Sequence, residues 1–264
     1  MIPNSLRATA PLAREGNALL QAMRVAAGET GLRIPPPVLL PNGSDPFATF
    51  PLTEFVIYPT SAVIAVSVVT GEFSTAGATI VGWDGSIGAA LSPNAPFRYS
   101  YHTVQSGYAT PVQISVVREM FKNASINRVL LNYLAYTVNT LCSISYCVSR
   151  HGVRSRIASW IAAVYLRSPL KTISVTHEFL GNYLCIRRAS VTTCLNQLAS
   201  EGVIDIGRAN ITVSSARKLL RETCSCSKAD KLWLHEVRRN PDQYTDAPLK
   251  IDEMRSLRAR SMMR

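Results

Sequence analysis

The feature of this 264-residue sequence that most restricts its fold is an apolar stripe with heptad spacing between residues 120 and 148. The nine stripe positions alternate steps of four and three residues, and seven of the nine are apolar. This spacing is typical of a coiled-coil seam, so it predicts a long helix over residues 117–149 that needs a partner helix. The predicted interface residues are Met120, Ala124, Asn127, Leu131, Leu134, Val138, Leu141, Ser145 and Val148.

A second interpretation of the same region is a membrane span. Residues 129–149 contain no charged side chain and are about long enough to cross a bilayer. However, Asn132 and Asn139, together with several Ser and Thr residues, suit hydrocarbon poorly. The heptad pattern accounts better for the apolar residues, so we expect a dimer helix and no membrane contact.

Charge divides the chain in the same place. Residues 1–116 carry five Lys or Arg against six Asp or Glu, whereas residues 117–226 carry 14 against five. A nearly neutral N-terminal region followed by a basic region indicates a regulatory or structural part joined to a part that binds a polyanion. The alternative is a basic surface that is merely solvated. With 47% hydrophobic residues and 17% charged residues, whole-chain disorder is excluded.

The segments on either side of the stripe differ in their periodicity. Residues 4–27 have helical spacing, and residues 55–115 contain short β-prone runs separated by glycines, which predicts a small antiparallel barrel or sandwich. After the stripe, a second helix is expected over about 152–167. Its apolar face consists of Ile157, Trp160, Ile161 and Val164.

Residues 175–213 predict two helices joined by a tight turn and followed by a hairpin. Thr176 is a plausible N-cap, the turn falls near Cys185, and Gly202 ends a second helix that begins at Arg187. This is the pattern of a winged helix-turn-helix, whose second helix fits a DNA major groove. A helix-turn-helix used only for protein assembly is the alternative. The candidate DNA-contacting residues are Thr176, Arg187, Arg188, Ser190, Thr192, Thr193, Asn196 and Arg208.

Three segments resemble the Crp/Fnr superfamily of bacterial transcription regulators. Residues 55–91, with VIYPTSAVIAVSVV and VGWDGSIGAAL, resemble the effector domain. Residues 147–167, CVSRHGVRSRIASWIAAVYLR, resemble the end of the dimer helix and the helix after it. Residues 175–226 resemble the DNA-binding region and end in Cys224-Ser225-Cys226.

The resemblance implies an α+β fold of four parts. These are a cyclic-nucleotide-binding-like antiparallel β jelly-roll with an N-terminal helix (1–116), a dimerisation helix (117–149), a winged helix-turn-helix (150–226) and a basic C-terminal tail (227–264). It also implies a cytoplasmic homodimer that regulates transcription on double-stranded DNA, with RNA polymerase as a further partner and no enzymatic activity. A redox- or ligand-responsive sensor of the same fold, acting through Cys or Arg98, stays open.

The sequence departs from the family pattern at both functional sites. In the recognition helix, Arg188 matches the family's first Arg, but Ala189 and Thr193 replace its Glu and its second Arg. The resemblance therefore implies the family's way of docking on DNA, but not recognition of the same bases. In the effector pocket, which cyclic-nucleotide members build from Gly-Glu and Arg-Ser/Thr pairs, this chain has Gly88-Ala89 and Arg98-Tyr99. We therefore expect cyclic AMP to bind weakly or not at all. The residues of this weak candidate pocket are Gly88, Ala89 and Arg98.

The cysteines and histidines predict no metal or other cofactor. The first cysteine is Cys142, so an iron–sulfur cluster ahead of the barrel is excluded. Cys224 and Cys226 lack a second cysteine pair or a nearby histidine in the sequence, and Cys142 and Cys147 are interpreted as helix-packing residues. No nucleophile–base pattern or phosphate loop suggests catalysis. No secretory signal is expected, so the six cysteines should be free thiols.

Overall fold

The computed structural model of the chain describes residues 16–27, 34–70, 74–88 and 98–239. Helix α1 (Ala18–Ala27) precedes a sandwich of two three-stranded antiparallel sheets. The first sheet has the order β1-β6-β2 and the second has the order β4-β3-β5. The strands are β1 (Val38–Leu40), β2 (Phe55–Pro59), β3 (Val63–Thr70), β4 (Ser74–Val81), β5 (Arg98–Gln105) and β6 (Gly107–Gln113).

Each sheet packs against other parts of the chain on both faces, which explains the nearly continuous apolar sequences of β2 and β3. Successive side chains of a strand point to opposite faces. Ile57 and Ile64 therefore pack in the core between the sheets. Their neighbour Val63 packs against the C-terminal domain, and Tyr58 packs against α1 and the helices that follow the sandwich. The sandwich is thus joined by apolar packing to the rest of the chain.

The strand predictions are partly wrong at their edges. The β-prone region was expected to reach residue 115, but β6 ends at Gln113 and the chain turns directly into helix α2 (Ile114–Met120). Strands β1 and β5 were not predicted, because β1 is only three residues long and β5 is mainly polar and aromatic in sequence. The predicted helix 4–27 is seen only as α1, since residues 1–15 lie outside the described residues.

The single helix expected over 117–149 is also a wrong prediction, because the chain forms two helices there. Helix α2 stops at Met120, and helix α3 (Ala124–Arg150) begins after Asn123. The Asn123 side chain accepts hydrogen bonds from the backbone N–H groups of Ser125 (2.8 Å) and Ile126 (3.2 Å). Such an N-cap satisfies donors that a new helix leaves free, so Asn123 starts a second helix.

The C-terminal half is mainly helical. Its sheet has the order β7-β9-β8, and the helix pair α5–α6 and the hairpin lie within one or two residues of the predicted bounds. Among the described residues, no helix is long and apolar enough to cross a membrane. The elements are α4 (Val153–Arg167), β7 (Thr172–Ser174), α5 (His177–Leu184), α6 (Arg188–Ser200), β8 (Ile204–Gly207), β9 (Asn210–Val213), α7 (Ala216–Glu222) and α8 (Ser227–Arg239).

The segment expected to be a basic tail begins with a packed helix. Trp233, Leu234 and Val237 of α8 are buried in the core shared with α1 and α3. The Trp233 ring stacks on the Tyr136 ring of α3 at 4.4 Å between centroids. The pattern of Trp233, Leu234 and Val237 predicts a short helix, and α8 confirms it. Residues 227–239 are nevertheless part of the folded body, which corrects the interpretation of 227–264 as a tail. Residues 240–264 lie outside the described residues.

Candidate nucleic-acid interface

The turn between α5 and α6 is closed by local backbone contacts. The Thr176 hydroxyl accepts a hydrogen bond from the Phe179 N–H (3.0 Å), so Thr176 caps α5 as predicted. Cys185 ends α5 in the left-handed conformation (φ 53°), and the Ile186 N–H donates to the Gly181 carbonyl oxygen at 2.8 Å. A Cβ on Gly181 would lie 2.9 Å from the Ile186 carbonyl oxygen, so the tight turn needs glycine there.

Helix α6 buries one face and exposes the other. The i, i+4, i+7 spacing of Val191, Leu195 and Leu198 predicts an inward face, and all three residues are fully buried. Burial of this face fixes the rotation of the helix, so the residues on its opposite side and at its N-terminus point to solvent. Five of the candidate contacts are exposed on it, namely Arg187, Arg188, Ser190, Thr193 and Asn196.

Thr192 differs from the other candidates because its side chain turns back toward α5. Its hydroxyl lies 3.0 Å from Nδ1 of His177, and the residue is half-buried. This hydrogen bond fastens α6 to the first residue of α5. Sequence reasoning did not single out His177, since nothing in the local pattern links it to a residue 15 positions away.

The hairpin presents Arg208 at its tip. Strands β8 and β9 pair from Ile204 and Val213 to Gly207 and Asn210, which leaves a two-residue turn. Ala209, the second residue of this turn, is in the left-handed conformation (φ 54°). Arg208 is exposed. The wing therefore carries a cation beside the helix pair.

The basic residues of this domain fall into paired and unpaired groups. Arg154 at the start of α4 donates to Glu201 at 2.6 Å and to Glu222 at 2.7 Å. The hydrogen bond to Glu222, and then that to Glu201, raise the pKa of Arg154 above its usual value. In contrast, no described carboxylate pairs with the three cations of the interface, which are Arg187, Arg188 and Arg208.

Helix α5 is docked on the second sheet of the sandwich. The Tyr183 hydroxyl donates to the Thr79 carbonyl oxygen at 2.9 Å, and the Phe179 ring stacks on the His102 ring at 4.5 Å. A Cβ on Gly77 would lie 2.3 Å from the Tyr183 ring, so the absence of a side chain there admits the ring. This contact holds α5 against the sheet, while the N-terminus of α6 stays exposed.

A buried ion-pair network, which we call the junction, joins the domains. Arg167 at the end of α4 is 2% exposed and donates to Asp84 of the sandwich at 2.9 Å and to Asp230 of α8 at 2.6 Å. Arg167 also donates to the Tyr136 hydroxyl of α3 at 2.9 Å, and that hydroxyl donates to Asp230 at 2.5 Å. Four separate parts of the chain therefore meet at one guanidinium.

Charge pairing outweighs burial in the junction. Burial alone would lower the pKa of Arg167, but Asp230 and Asp84 raise it well above its usual value. Burial alone would raise the pKa of the Asp230 carboxyl, but Arg167 holds it below its usual value. Both groups are therefore charged at neutral pH.

The residues of the candidate effector pocket lie in different environments. Gly88 is buried with a positive φ (85°), and a Cβ there would lie 2.5 Å from the Phe47 ring. Arg98 is exposed at the start of β5, where it pairs with Val69. Ala89 lies outside the described residues.

The heptad stripe lies on the outer face of α3. Leu131 is 65% exposed and Leu134 is 56% exposed, and Val138, Leu141 and Val148 are also exposed. Smaller members of the stripe follow the same pattern, since Ala124 and Ser145 are exposed and Asn127 is half-buried. Met120 is the exception.

Met120 is not part of an exposed seam. It is buried in the core that contains α1, and it precedes the break at Asn123. The opposite face of α3 supplies Ile126, Val129 and Tyr136 to that core. The exposed stripe therefore begins after the break.

The cysteines are arranged differently from the prediction. Cys142 is exposed, so it does not pack within the described chain. Cys224 and Cys226 have no further candidate ligand nearby in the sequence, but in the structure the ligand atoms of Cys147 and His151 lie within 4.8 Å of theirs. The fold thus brings together candidate metal ligands whose spacing in the sequence does not reveal them.

Known proteins share the domain and the fold. Residues 155–222 match the family model of the Crp-like helix-turn-helix domain. A CRP-family transcriptional regulator from Thermus thermophilus has 15% identity and a TM-score of 0.54, covering 73% of this chain and 99% of its own. FixK2 from Bradyrhizobium japonicum has 12% identity and a TM-score of 0.54, with coverages of 72% and 99%. No curated protein sequence matches the chain significantly.

These likenesses define a class. The C-terminal half contains a Crp-like helix-turn-helix domain, and the chain has the fold of the Crp/Fnr transcription regulators, as its sequence resemblance implied. A regulator from Eubacterium rectale, described as a putative member of the crp/fnr family, also has this fold, with 12% identity and a TM-score of 0.52 over 76% of this chain and 93% of its own. Two of these structures are described as those of transcriptional regulators.

Proposed function

We propose that this chain binds an inverted-repeat operator in double-stranded DNA as a homodimer and thereby regulates transcription. The observation that carries the proposal is the exposed N-terminus of α6. Arg187 and Arg188 project there from a Crp-like helix-turn-helix domain, and no described carboxylate neutralises them. A recognition helix contacts base edges with its N-terminal residues, and Arg is the side chain best suited to guanine.

The exposed stripe supports the dimer. From Leu131 to Val148 it spans about 26 Å of helix, and its large apolar side chains have no cover within the described chain. Monomeric proteins seldom expose a continuous apolar stripe of this length. Packing of α3 against α3 of a second chain about a two-fold axis covers the stripe and presents two copies of α6.

The proposal extends to the effector and to the cellular setting. Gly88-Ala89 and Arg98-Tyr99 lack the ribose and phosphate partners of cyclic-nucleotide binders, so the regulator works without cyclic AMP. It acts in the cytoplasm, and on a promoter it contacts RNA polymerase. Recruitment of polymerase to a promoter duplex, measured with and without the protein, tests the last point.

The experiment that tests DNA binding begins with selection from a random duplex pool. Bound sequences should converge on an inverted repeat whose half-site centres lie about 34 Å apart. If the wild-type protein retards neither a selected nor a random duplex, the helix-turn-helix serves protein assembly and the proposal fails.

The dimer is tested by changing the stripe. Leu134→Lys combined with Leu141→Lys should give a monomer in light scattering at micromolar concentration and weaken operator binding. Leu39→Lys is the matched control, since Leu39 is 59% exposed but lies on β1 of the sandwich. A wild-type protein that is monomeric at micromolar concentration would contradict the proposal.

A further inference from the structure

Two segments that lie far apart in the sequence bring three cysteines and a histidine together. Cys147 and His151 come from the end of α3, and Cys224 and Cys226 come from the connection between α7 and α8. The Sγ atoms of Cys147 and Cys224 lie 3.5 Å apart, and Sγ of Cys226 lies 3.5 Å from Nδ1 of His151. All four candidate ligand atoms lie within 4.8 Å of one another.

These separations match one tetrahedral metal ion. With Zn–S bonds of about 2.3 Å and Zn–N bonds of about 2.0–2.1 Å, tetrahedral ligands lie about 3.8 Å apart for two sulfurs and about 3.6 Å apart for a sulfur and a nitrogen. The observed distances of 3.5 Å are close to both values. The contact between Cys147 and Cys224 is much longer than a disulfide bond of about 2.05 Å.

The backbone positions each half of the cluster. Cys147 and His151 are four residues apart, so they lie on one side of the helix end, and the His151 N–H donates to the Cys147 carbonyl oxygen at 3.0 Å. Cys224 is buried, and its N–H donates to the Ser159 hydroxyl of α4 at 3.1 Å. The same hydroxyl lies 3.3 Å from the Cys224 sulfur, which orients the thiol from a third element.

We propose that Cys147, His151, Cys224 and Cys226 bind one zinc ion as a structural Cys₃His site. On binding, three S–H bonds break and their protons leave to solvent, three Zn–S bonds and one Zn–N bond form, and no group is oxidised or reduced. Four protein ligands leave no open position, so the site is structural rather than catalytic. An iron–sulfur cluster would need ligands spread over several irons, whereas these converge on one point.

The surroundings suit entry and retention of the ion. Cys147, Cys224 and Cys226 line a cleft of about 1040 Å³ that also borders α4 and α8, which gives the ion a path to the ligands. The bound site would carry three thiolates around a divalent ion. Three thiolates and a divalent ion leave one net negative charge. Lys231 contacts the hydroxyl of Thr223, next to Cys224, and so places a cation beside that charge.

The site would fasten the end of the dimer helix to the C-terminal body. Arg150 ends α3, and α4 of the DNA-binding domain begins only three residues later, at Val153. An ion held by both α3 and the segment before α8 limits rotation about this connection. The effect on DNA affinity rests on the proposed function, whereas binding of the ion does not depend on it.

The test uses Co²⁺ as a spectroscopic probe on the reduced full-length protein. One cobalt per chain should bind, with the visible absorption of a tetrahedral ion and thiolate charge-transfer bands, and Zn²⁺ should displace it. Cys147→Ser and Cys226→Ser should each weaken cobalt binding at least about tenfold. Cys142→Ser is the matched control, because Cys142 lies on the same helix but is exposed and outside the cluster.

A second variant separates loss of a ligand from loss of the fold. His151→Cys keeps four ligands, so it should still bind cobalt, with thiolate charge-transfer absorption about one third stronger than in the wild type. Absence of tetrahedral bands in the reduced wild-type protein would overturn the proposal. Bands that are unchanged in Cys147→Ser and Cys226→Ser, or equally reduced in Cys142→Ser, would overturn it as well.

Operator binding provides a readout distinct from cobalt binding. Removal of the metal by a chelator should weaken operator binding of the wild type and leave that of Cys147→Ser unchanged. If cobalt binds as described but no duplex binds, the zinc site stands and the DNA-binding proposal fails. If duplex binds but cobalt does not, the zinc site fails alone.

Discussion

Helix α4 carries an arginine near each end, and the two ends differ in what their arginines join. Arg154 pairs with Glu201 and Glu222, both within the DNA-binding domain, and its side chain is 31% exposed. Arg167 pairs with Asp84 and Asp230, which come from the sandwich and from α8, and its side chain is 2% exposed. The same chemistry thus serves a local contact at one end and an inter-domain contact at the other.

The difference matters energetically because solvent screens one site and not the other. Exposed ion pairs typically contribute about 0–1 kcal/mol. Removing one partner of a buried pair costs about 3–5 kcal/mol, since it leaves an uncompensated charge in the interior. The ion pairs of Arg167 therefore hold the DNA-binding domain against the sandwich. The ion pairs of Arg154 add a smaller stabilisation to a domain that is already packed around Leu195 and Leu198.

The largest expected effect follows from breaking the junction. Arg167→Ala leaves Asp84 and Asp230 without their shared cation, so the free energy of unfolding should fall by about 3–5 kcal/mol. Arg154→Ala, the matched change at the other end of the helix, should lower it by about 1 kcal/mol or less. Urea unfolding followed by circular dichroism measures both. Equal losses in the two variants would mean that burial does not distinguish the two ends.

The junction also predicts a response to acid. The folded pKa of Asp230 lies below its unfolded value, so its stabilising contribution is complete above a pH of about 4 and is lost as the pH falls through the lowered pKa. The Arg167→Ala change removes the cation that lowers the pKa of Asp230. The difference in unfolding free energy between wild type and Arg167→Ala should therefore narrow as the pH falls from about 5 to about 2. A difference that widens on acidification would contradict this account.

The recognition domain could be predicted from sequence because its determinants are local. The spacing of Val191, Leu195 and Leu198 gives the buried face, Thr176 gives the cap and Gly202 gives the end of the helix, and all three signals lie within 27 residues. The outward face then follows by geometry, which is why most candidate DNA contacts are exposed as expected.

The junction and the cysteine cluster could not be predicted in this way. Asp84 and Arg167 are 83 residues apart, and Cys147 and Cys224 are 77 residues apart. Neither pair has a spacing that periodicity can detect, because each depends on how finished elements pack. The break at Asn123 was a different failure, since its capping signal is local and was outweighed by the apolar repeat across it.

Recognition of DNA bases should not depend on the ion pairs of the junction. Arg188→Ala should weaken binding to the selected operator by about 1–3 kcal/mol and flatten the base preference at one position in each half-site. Its free energy of unfolding should stay within about 0.5 kcal/mol of the wild type, because Arg188 is an exposed residue. Binding to operator and scrambled duplexes by fluorescence anisotropy measures the effect. An equal loss on both duplexes would assign base reading to another residue.

Arg208 should give a smaller effect of another kind. The wing tip is exposed and suited to a phosphate contact, which neutralises charge without reading bases. Arg208→Ala should weaken operator and scrambled duplexes alike and reduce the slope of log affinity against log salt by about one per subunit. A salt series on both duplexes checks this. A loss confined to the operator would place Arg208 on a base edge instead.

The smallest expected effect concerns the sandwich. It tests whether a cyclic nucleotide bound there changes DNA affinity through the junction. Ala89 follows Gly88 where cyclic-nucleotide binders have Glu, and Tyr99 follows Arg98 where they have Ser or Thr. A buried polar ligand that lacks its partners loses about 1–3 kcal/mol for each unsatisfied group. Cyclic AMP should therefore give no heat of binding at micromolar concentration, and it should leave operator affinity unchanged. A dissociation constant in the micromolar range or tighter would contradict this. If operator affinity changed as well, comparison with Arg167→Ala would show whether the signal passes through Asp84 and Arg167, since that variant should then bind the nucleotide without responding to it.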